Sequence, residues 1–344
     1  MHSSKNNNKK NKKWRWQLPF LFFLIIASVL IIRSKQPHQA PYQHDNGMIF
    51  GTVWQATYQC DSSMIHSIKK ALQEVDASLS MFNPHSTISR INSGECMLTD
   101  SLMRIVLCQA QQVSQATDGS FDVTVAPLVN AWGFGFRNSQ LPDSLQVDSL
   151  LQFVGWQGIS LRGDTLVKRD SRMVLDMSAI AKGFGVDQVA SLFRRHNVEN
   201  FMIEIGGEIV VSGNNPKGKK WNIGVSKPVE DDKNTNNELQ TTLQLTNCAM
   251  ATSGNYRNYY ISDDGRKLAH TIDPKTGYPV QHSILSSTVV APTCSMADAF
   301  ATAFMVMGLD KAQEVLTRHP ELKAYFIYDK DGAYETWQSP NLTE

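Results

Sequence analysis

Two segments far apart in the chain carry residues able to hold an anion and a divalent cation. Asp176-Met177-Ser178-Ala179-Ile180-Ala181-Lys182-Gly183 sets a carboxylate and a lysine in a run of small residues that opens a helix. A lysine in such a setting meets phosphates readily, because the helix N-terminus adds its own positive end. A merely solvated lysine is the rival explanation, and no Walker A pattern accompanies it. Ser295-Met296-Ala297-Asp298-Ala299-Phe300-Ala301-Thr302 spaces Asp298 and Thr302 four residues apart, which on a helix stacks both oxygen-bearing side chains on one face. Carboxylate and hydroxyl, with a backbone carbonyl and phosphate oxygens, suit an octahedral Mg²⁺ shell. Judged locally, a structural explanation ranks first: Ser295 and Asp298 have capping-box spacing, and Thr302 can bond back to the carbonyl four residues earlier.

Three further features bear on chemistry. His270-Thr271-Ile272-Asp273-Pro274-Lys275-Thr276-Gly277-Tyr278-Pro279 ends a strand with a turn, and its histidine is either a general base or a structural residue. Thr117-Asp118-Gly119-Ser120-Phe121-Asp122, continuing to Trp132-Gly133-Phe134-Gly135-Phe136, is rich in glycine and aromatics; it lines a ligand or forms a packed surface turn. Gly206-Gly207, inside a strand-like run, marks a β-bulge or a close backbone approach to a ligand. No G-x-S-x-G elbow and no H-E-x-x-H pair occurs, which excludes serine-hydrolase and zincin chemistry.

The elements that must position these residues follow from periodicity. Met48 to Cys60 reads as a first strand, then Asp61 or Ser62 caps a helix with Ile65, Ile68, Leu72, Val75 and Leu79 on one face. A loop spans Ser80 to Asn92, and a second amphipathic helix starting at Thr99 or Asp100 stops at Gly119. Short strands flank Arg162-Gly163-Asp164, and the Asp176 loop leads into a helix reaching His196. Strands are expected at Phe201 to Val211, Trp221 to Val229 and Leu239 to Thr252, with hairpin turns at Asp264-Gly265 and Asp331-Gly332. Helices at Ser295 to Gly308 and Asp310 to His319 precede the last hairpin, and Glu230 to Glu238 is a polar insertion. Without regular βαβ alternation the expected class is α+β, with mixed or antiparallel sheets and packed helices.

At 344 residues and 42% hydrophobic, the chain can bury a large core. Eight of its 33 basic residues and none of its 32 acidic ones precede position 36, so the remainder is acidic by seven charges and has no electrostatic reason to seek nucleic acid. Five scattered cysteines without CxxC spacing argue against a zinc site or a disulfide framework, and Cys108 reads as a core residue. The basic leader, residues 1–17, runs into an uncharged stretch, 18–32, preceded by Trp14 and Trp16. Its fifteen residues are short of the roughly 17 to 25 of a spanning helix, but interfacial tryptophans and snorkelling flanks extend it. An uncleaved membrane anchor is favoured over a cleaved signal peptide, since no small-residue cleavage site follows Ile32. The charge bias places the N-terminus in the cytoplasm and the body on the exported side, with 33–47 as a tether and 48–344 as the functional domain.

Taken in order, these segments resemble the ApbE family of flavin transferases, the FAD:protein FMN transferases. The matching pieces are Ser80-Met81-Phe82 with Ile88 to Asn92, Thr117 to Asp122, Trp132 to Gly135, Leu175 to Gly183, Gly206-Gly207-Glu208, Thr252-Ser253-Gly254, His270 to Pro279, and Ala297-Asp298-Ala299 with Thr302. The resemblance implies an α+β fold that holds FAD as substrate in a cleft and uses Mg²⁺ to transfer its FMN half, releasing AMP. The receiving group is a threonine or serine hydroxyl of a partner flavoprotein, a subunit of a membrane electron-transfer complex on the periplasmic side of the inner membrane. It further implies that Asp298, Thr302 and the Ala179 carbonyl bind the metal, and that Met81, Gly119, Ser120, Phe121, Asp176, Lys182, His270 and Ile272 contact FAD. Lys182 would offset phosphate charge and His270 would take the hydroxyl proton. Ser178 stands where many relatives have glycine, and Glu204 where several have asparagine. Two other outcomes on the same scaffold are an FAD pyrophosphatase, yielding FMN and AMP, and a non-catalytic flavin carrier.

Overall fold

The computed structural model describes residues 19–28, 40–134, 141–228, 239–255, 259–261, 267–281 and 284–343. They divide into two units, the first ending at Pro41 and the second beginning at Tyr42. In the first, residues 19–28 form helix α1 within the apolar stretch; the basic leader and the remainder of that stretch lie outside the described residues. Among the described residues no helix is long and apolar enough to cross a membrane.

The second unit opens on a hairpin, β1 (Tyr42–Ile49) and β2 (Thr52–Gln59), where the sequence suggests one strand. Phe50 and Gly51 take left-handed φ values of 49° and 72° and close the turn in two residues. Strand β1 is polar and lies at the sheet edge, so no apolar alternation betrays it, and it begins inside the expected tether. Helix α2 (Ile65–Leu79) is preceded by Ser63, whose Oγ accepts the Ile65 N–H at 3.2 Å, so neither Asp61 nor Ser62 supplies the cap. The expected loop before Asn92 contains α3 (Thr87–Ser93), capped by Ser86. Helix α4 (Ser101–Ala116) is capped by Asp100 as expected, with the Met103 N–H 2.8 Å from its carboxylate. Cys108 is exposed on α4, a correction to its expected place in the core: Leu107 faces inward, and one residue later the helix has turned about 100°.

Short helices α5 (Ala126–Ala131) and α6 (Ser144–Leu151), the latter opened by an Asp143/Gln146 capping box, lead to the ribbon β3 (Ile159–Arg162) and β4 (Thr165–Lys168). Then come α7 (Ser178–Arg195) and the hairpin β5 (Phe201–Ile205) and β6 (Glu208–Ser212). The chain continues through β7 (Trp221–Ser226), β8 (Leu239–Leu245) and β9 (Cys248–Gly254). The run expected as one strand from Leu239 divides at Asn247, whose φ is 52°. Strands β10 (Tyr259–Ile261) and β11 (Lys267–Ala269) pair antiparallel; the Asp264-Gly265 turn and the Glu230 to Glu238 insertion lie outside the described residues. Last are β12 (Ile284–Ala291), α8 (Cys294–Met307), α9 (Leu309–Arg318), β13 (Lys323–Lys330) and β14 (Ala333–Gln338), the final pair turning at Asp331-Gly332 as expected.

Eight strands form one antiparallel sheet in the order β1-β2-β5-β6-β9-β12-β13-β14. Helices α7 and α8 cover one face, and the β7–β8 ribbon packs Trp221, Ile223 and Val225 against the other. The architecture is thus the α+β class read from the sequence. Strand alternation sorts the side chains: Val210, Ala251 and Val289 point to the helices, whereas Ile209, Met250 and Val290 point to the ribbon. Helix α8 lies in the centre, with all but Met296 and Thr302 of its residues buried. Its alanines at 297, 299, 301 and 303 let sheet and helices approach closely.

Candidate active site

Helices α7 and α8 meet at a seam that fixes the chemistry-bearing side chains. At Gly183 an added methyl would collide with the carbonyl of Cys294, so only glycine allows this approach. Asp187, one turn further along α7, accepts the backbone N–H groups of Cys294 and Ser295 at 2.8 and 2.9 Å. It therefore caps α8 from a neighbouring helix. Asp298 does not serve as that cap: its Oδ2 accepts the Gly183 N–H at 3.2 Å. The capping explanation favoured by local sequence gives way, because the N-terminus of α8 already has its acceptor.

Asp298 is 3% exposed, and an unpaired charge there would be costly. Burial raises its pKa, while Lys182 and the Gly183 N–H oppose the rise. Burial alone would also lower the Lys182 pKa, but Asp298 and Glu208 outweigh it and hold the ammonium charged. Lys182 Nζ donates to Oε1 of Glu208. Glu208 follows the two-residue turn Gly206-Gly207, whose φ values of 61° and 105° explain both glycines as a hairpin closure. It shares the helix-facing register of Val210 on β6 and is itself 3% exposed. Burial and Asp298 push its pKa up to about 7, against the pull of Lys182. Its Oε2 is buried without a hydrogen-bond partner. Thr302 lies one turn beyond Asp298, and its Oγ1 is 3.1 Å from Ser253 Oγ on β9.

This seam is one wall of a cleft of about 1390 Å³. Of the expected site residues, Met81, Ser120, Phe121, Asp176, Ala179, Lys182, His270, Ile272, Asp298 and Thr302 all line it. Gly119 does not; with φ at 77° it closes the end of α4, donating to the Ser114 carbonyl at 2.7 Å, and so delivers Ser120 and Phe121. Asp176 accepts the Ser178 N–H at 2.7 Å, and burial raises its pKa.

Loops and the short helix α5 supply another part of the lining. Asp122 accepts from the Thr124 N–H and Oγ1 at 2.8 and 2.6 Å and from the Trp156 N–H at 2.8 Å, and burial raises its pKa. Trp132 Nε1 donates to the Gly277 carbonyl at 2.7 Å, tying the helix α5 end to the turn after His270. Thr271 donates to Asn255 Oδ1 at 2.6 Å, Ile272 bridges Pro279, and the His270 ring meets that of Phe134 edge-on at 6.3 Å. Sequence reasoning names Glu208 and Ser253 only inside matching motifs, without a role, and leaves out Asp187. A charged residue heading the apolar run Ile209-Val210-Val211 was the available signal for the first; no local signal marks the other two.

The arrangement sets the Lys182 ammonium beside hard oxygen donors that can hold a cation shared with a phosphorylated ligand. Comparison with known proteins agrees. The ApbE family model matches residues 50–326. The FAD:protein FMN transferase of Haemophilus influenzae is 37% identical over 311 residues, 86% of this chain and 88% of its own length. The Vibrio cholerae protein of the same name is 33% identical over 332 residues, covering 93% and 97%. Among solved structures, the flavin transferase ApbE from Vibrio cholerae superposes with a TM-score of 0.79 at 32% identity, covering 88% of this chain and 98% of that one. The apo flavinyl transferase ApbE of Pseudomonas stutzeri gives 0.78 at 28% identity, covering 89% and 96%. On its sequence, its fold and the residues its cleft brings together, this chain belongs to the ApbE family.

Proposed function

We propose that the chain is an FAD:protein FMN transferase, moving the FMN half of FAD with the help of Mg²⁺ to a threonine or serine hydroxyl of a partner flavoprotein and releasing AMP. The observation that carries this reading is the convergence of Lys182, Ala179, Asp298 and Thr302 on one cleft wall, from two helices whose contacting residues lie 115 positions apart. The Ala179 carbonyl, Asp298 carboxylate and Thr302 hydroxyl are hard oxygen donors suited to Mg²⁺. Among the described residues no three His, Cys, Asp or Glu side chains gather into an all-protein cage, which fits a metal that shares its shell with substrate phosphates. When bound, Mg²⁺ would neutralise charge on the diphosphate and on the departing AMP.

The chain's own residues supply the remainder. Met81, Ser120, Phe121, Asp176 and Ile272 line the cleft where FAD is held, and Lys182 offers its ammonium to the diphosphate. The acceptor oxygen forms a bond to the FMN phosphorus as the bond from that phosphorus to the AMP oxygen breaks, and His270 takes the hydroxyl proton. The acceptor belongs to a membrane electron-transfer complex, and residues 18–32 anchor the body on the periplasmic side; the apolar stretch and its basic leader support that placement.

Incubating the chain with FAD, Mg²⁺ and a candidate acceptor domain, then weighing the acceptor by mass spectrometry, tests the proposal. An added FMN mass is the expected result. Free FMN with an unaltered acceptor means hydrolysis instead, and unchanged FAD with every acceptor leaves only a carrier.

A further inference from the structure

The hydroxyl of Thr302 is not used as other hydroxyls on the helices of this chain are. Ser114 on α4 donates to the Ala110 carbonyl at 2.9 Å, and Thr117, just past the end of that helix, donates to Val113 at 2.7 Å. On α9, Thr317 donates to the Gln313 carbonyl at 2.9 Å. Each reaches back four residues, the bond that a helix offers a hydroxyl locally. Thr302, in the interior of α8, has the Asp298 carbonyl at the same offset, yet its Oγ1 bonds to Ser253 Oγ, 3.1 Å away on β9. The exception falls on a group assigned above to the cation. Ser253, Asp298 and Thr302 all line the cleft, and Ser253 shares the helix-facing side of β9 with Ala251.

We infer that Ser253 is a positioning residue for the metal site, accepting the hydrogen of Thr302 and holding its Oγ1 away from the Asp298 carbonyl so that a lone pair is left for the cation. The inference rests on reading Ala179, Asp298 and Thr302 as the metal set. A hydroxyl carries one hydrogen and two lone pairs, and it can present a lone pair to a cation only when the hydrogen lies elsewhere. Without a cation either oxygen of the pair can donate. With one at Thr302, the threonine is the donor and the serine the acceptor. Ser253 then touches no metal and acts only through its neighbour, as the outer hydrogen-bond partners of metal ligands do. Its own hydrogen can turn to solvent, since Ser253 itself lines the cleft. In its absence Thr302 is released to the bond within α8 that Ser114, Thr117 and Thr317 make in their own settings.

The test is titration of the full-length chain in detergent with Mn²⁺, a paramagnetic stand-in for Mg²⁺, in the presence of FAD and without an acceptor. Electron paramagnetic resonance of the free ion gives the Kd. Ser253→Ala should raise that Kd by about tenfold or more, the scale on which outer partners of metal ligands act. Thr302→Val should also raise it, and adding Ser253→Ala to Thr302→Val should change the Kd by less than about twofold, because a residue that works through Thr302 has nothing left to orient. An unchanged Kd in Ser253→Ala overturns the inference. So does a further tenfold loss in the double variant, which would make Ser253 a ligand in its own right. Where Ser253→Ala fails to fold by circular dichroism, Ser253→Cys takes its place with the same two readings, sulfur being a weak acceptor. Those results would leave the metal set standing. Wild type that binds no Mn²⁺, or Thr302→Val that binds it as wild type does, removes the metal set and this inference together.

Discussion

Two parts of the cleft lining are held by different means. The seam wall is secondary structure in close contact: helix α7 against helix α8 over an antiparallel sheet, with Asp298 and Glu208 almost fully buried. The loops that carry Phe121 and His270 are instead tied from behind the lining by single hydrogen bonds such as Trp132 to Gly277 and by the exposed ion pair of Lys275 with Asp118 at 2.6 Å. Groups that meet developing charge need rigid supports, since small displacements there are expensive. Groups that admit a large ligand and a second protein gain from supports that give way. Damage should therefore be larger at the seam than on the loops.

Asp298→Ala should show the contrast most strongly. Transfer to an acceptor, followed by mass spectrometry, is expected to fall by about 10²-fold or more, while the circular dichroism melt keeps a single cooperative transition. Retained transfer in a folded variant would remove Asp298 from the metal set. Gly183→Ala comes next: its methyl has nowhere to go but into the Cys294 carbonyl, and overpacking of that kind costs about 1–3 kcal/mol. Urea unfolding should register the loss together with a drop in kcat, and a variant as stable as wild type would mean the helices are free to part. Asp187→Ala leaves two α8 N–H groups without their acceptor, with an expected destabilisation of about 1–2 kcal/mol by denaturant titration.

The loops should yield the smaller numbers. Trp132→Phe deletes the bond to Gly277 and is expected to raise the KM for FAD by about three- to tenfold, with kcat changed less; an equal fall in kcat at unchanged KM would place Trp132 in the chemistry rather than the support. Lys275→Ala should alter KM by no more than about twofold, and that difference should vanish at high salt. A larger, salt-resistant effect would show that the exposed pair bears more than its geometry suggests.

Legibility in the sequence follows the same division. Spacing alone pairs Asp298 with Thr302 on one helix face and sets Lys182 near a helix start, but locally a structural role ranks first, and Ala179 and the metal roles come only from the resemblance to the ApbE family. Asp187 is not legible, and Ser253 is legible only as part of a matching motif with no role, because each acts on an element more than 40 positions away in the chain. The α+β class was legible from the lack of βαβ alternation, and most helices from their apolar stripes. The hairpins at Phe50-Gly51 and Gly206-Gly207 were read as continuous strands, since an apolar run shows no break where a two-residue turn reverses it. Polar β1 and the exposed Cys108 fell to the same cause: period and composition describe an element, but the neighbour decides which side is covered.

The brevity of the Gly206-Gly207 turn has a last implication. In a ladder where alternate residues look in opposite directions, a one-residue slip of β6 would exchange its two faces, carrying Glu208 and Val210 to the ribbon side and Ile209 and Val211 to the helices. Lys182 would then lose one of its two carboxylate neighbours and keep Asp298, without any change at its own position. The length of one tight reversal thus sets both which side of the sheet carries the Glu208 carboxylate and which core each apolar residue of β6 enters.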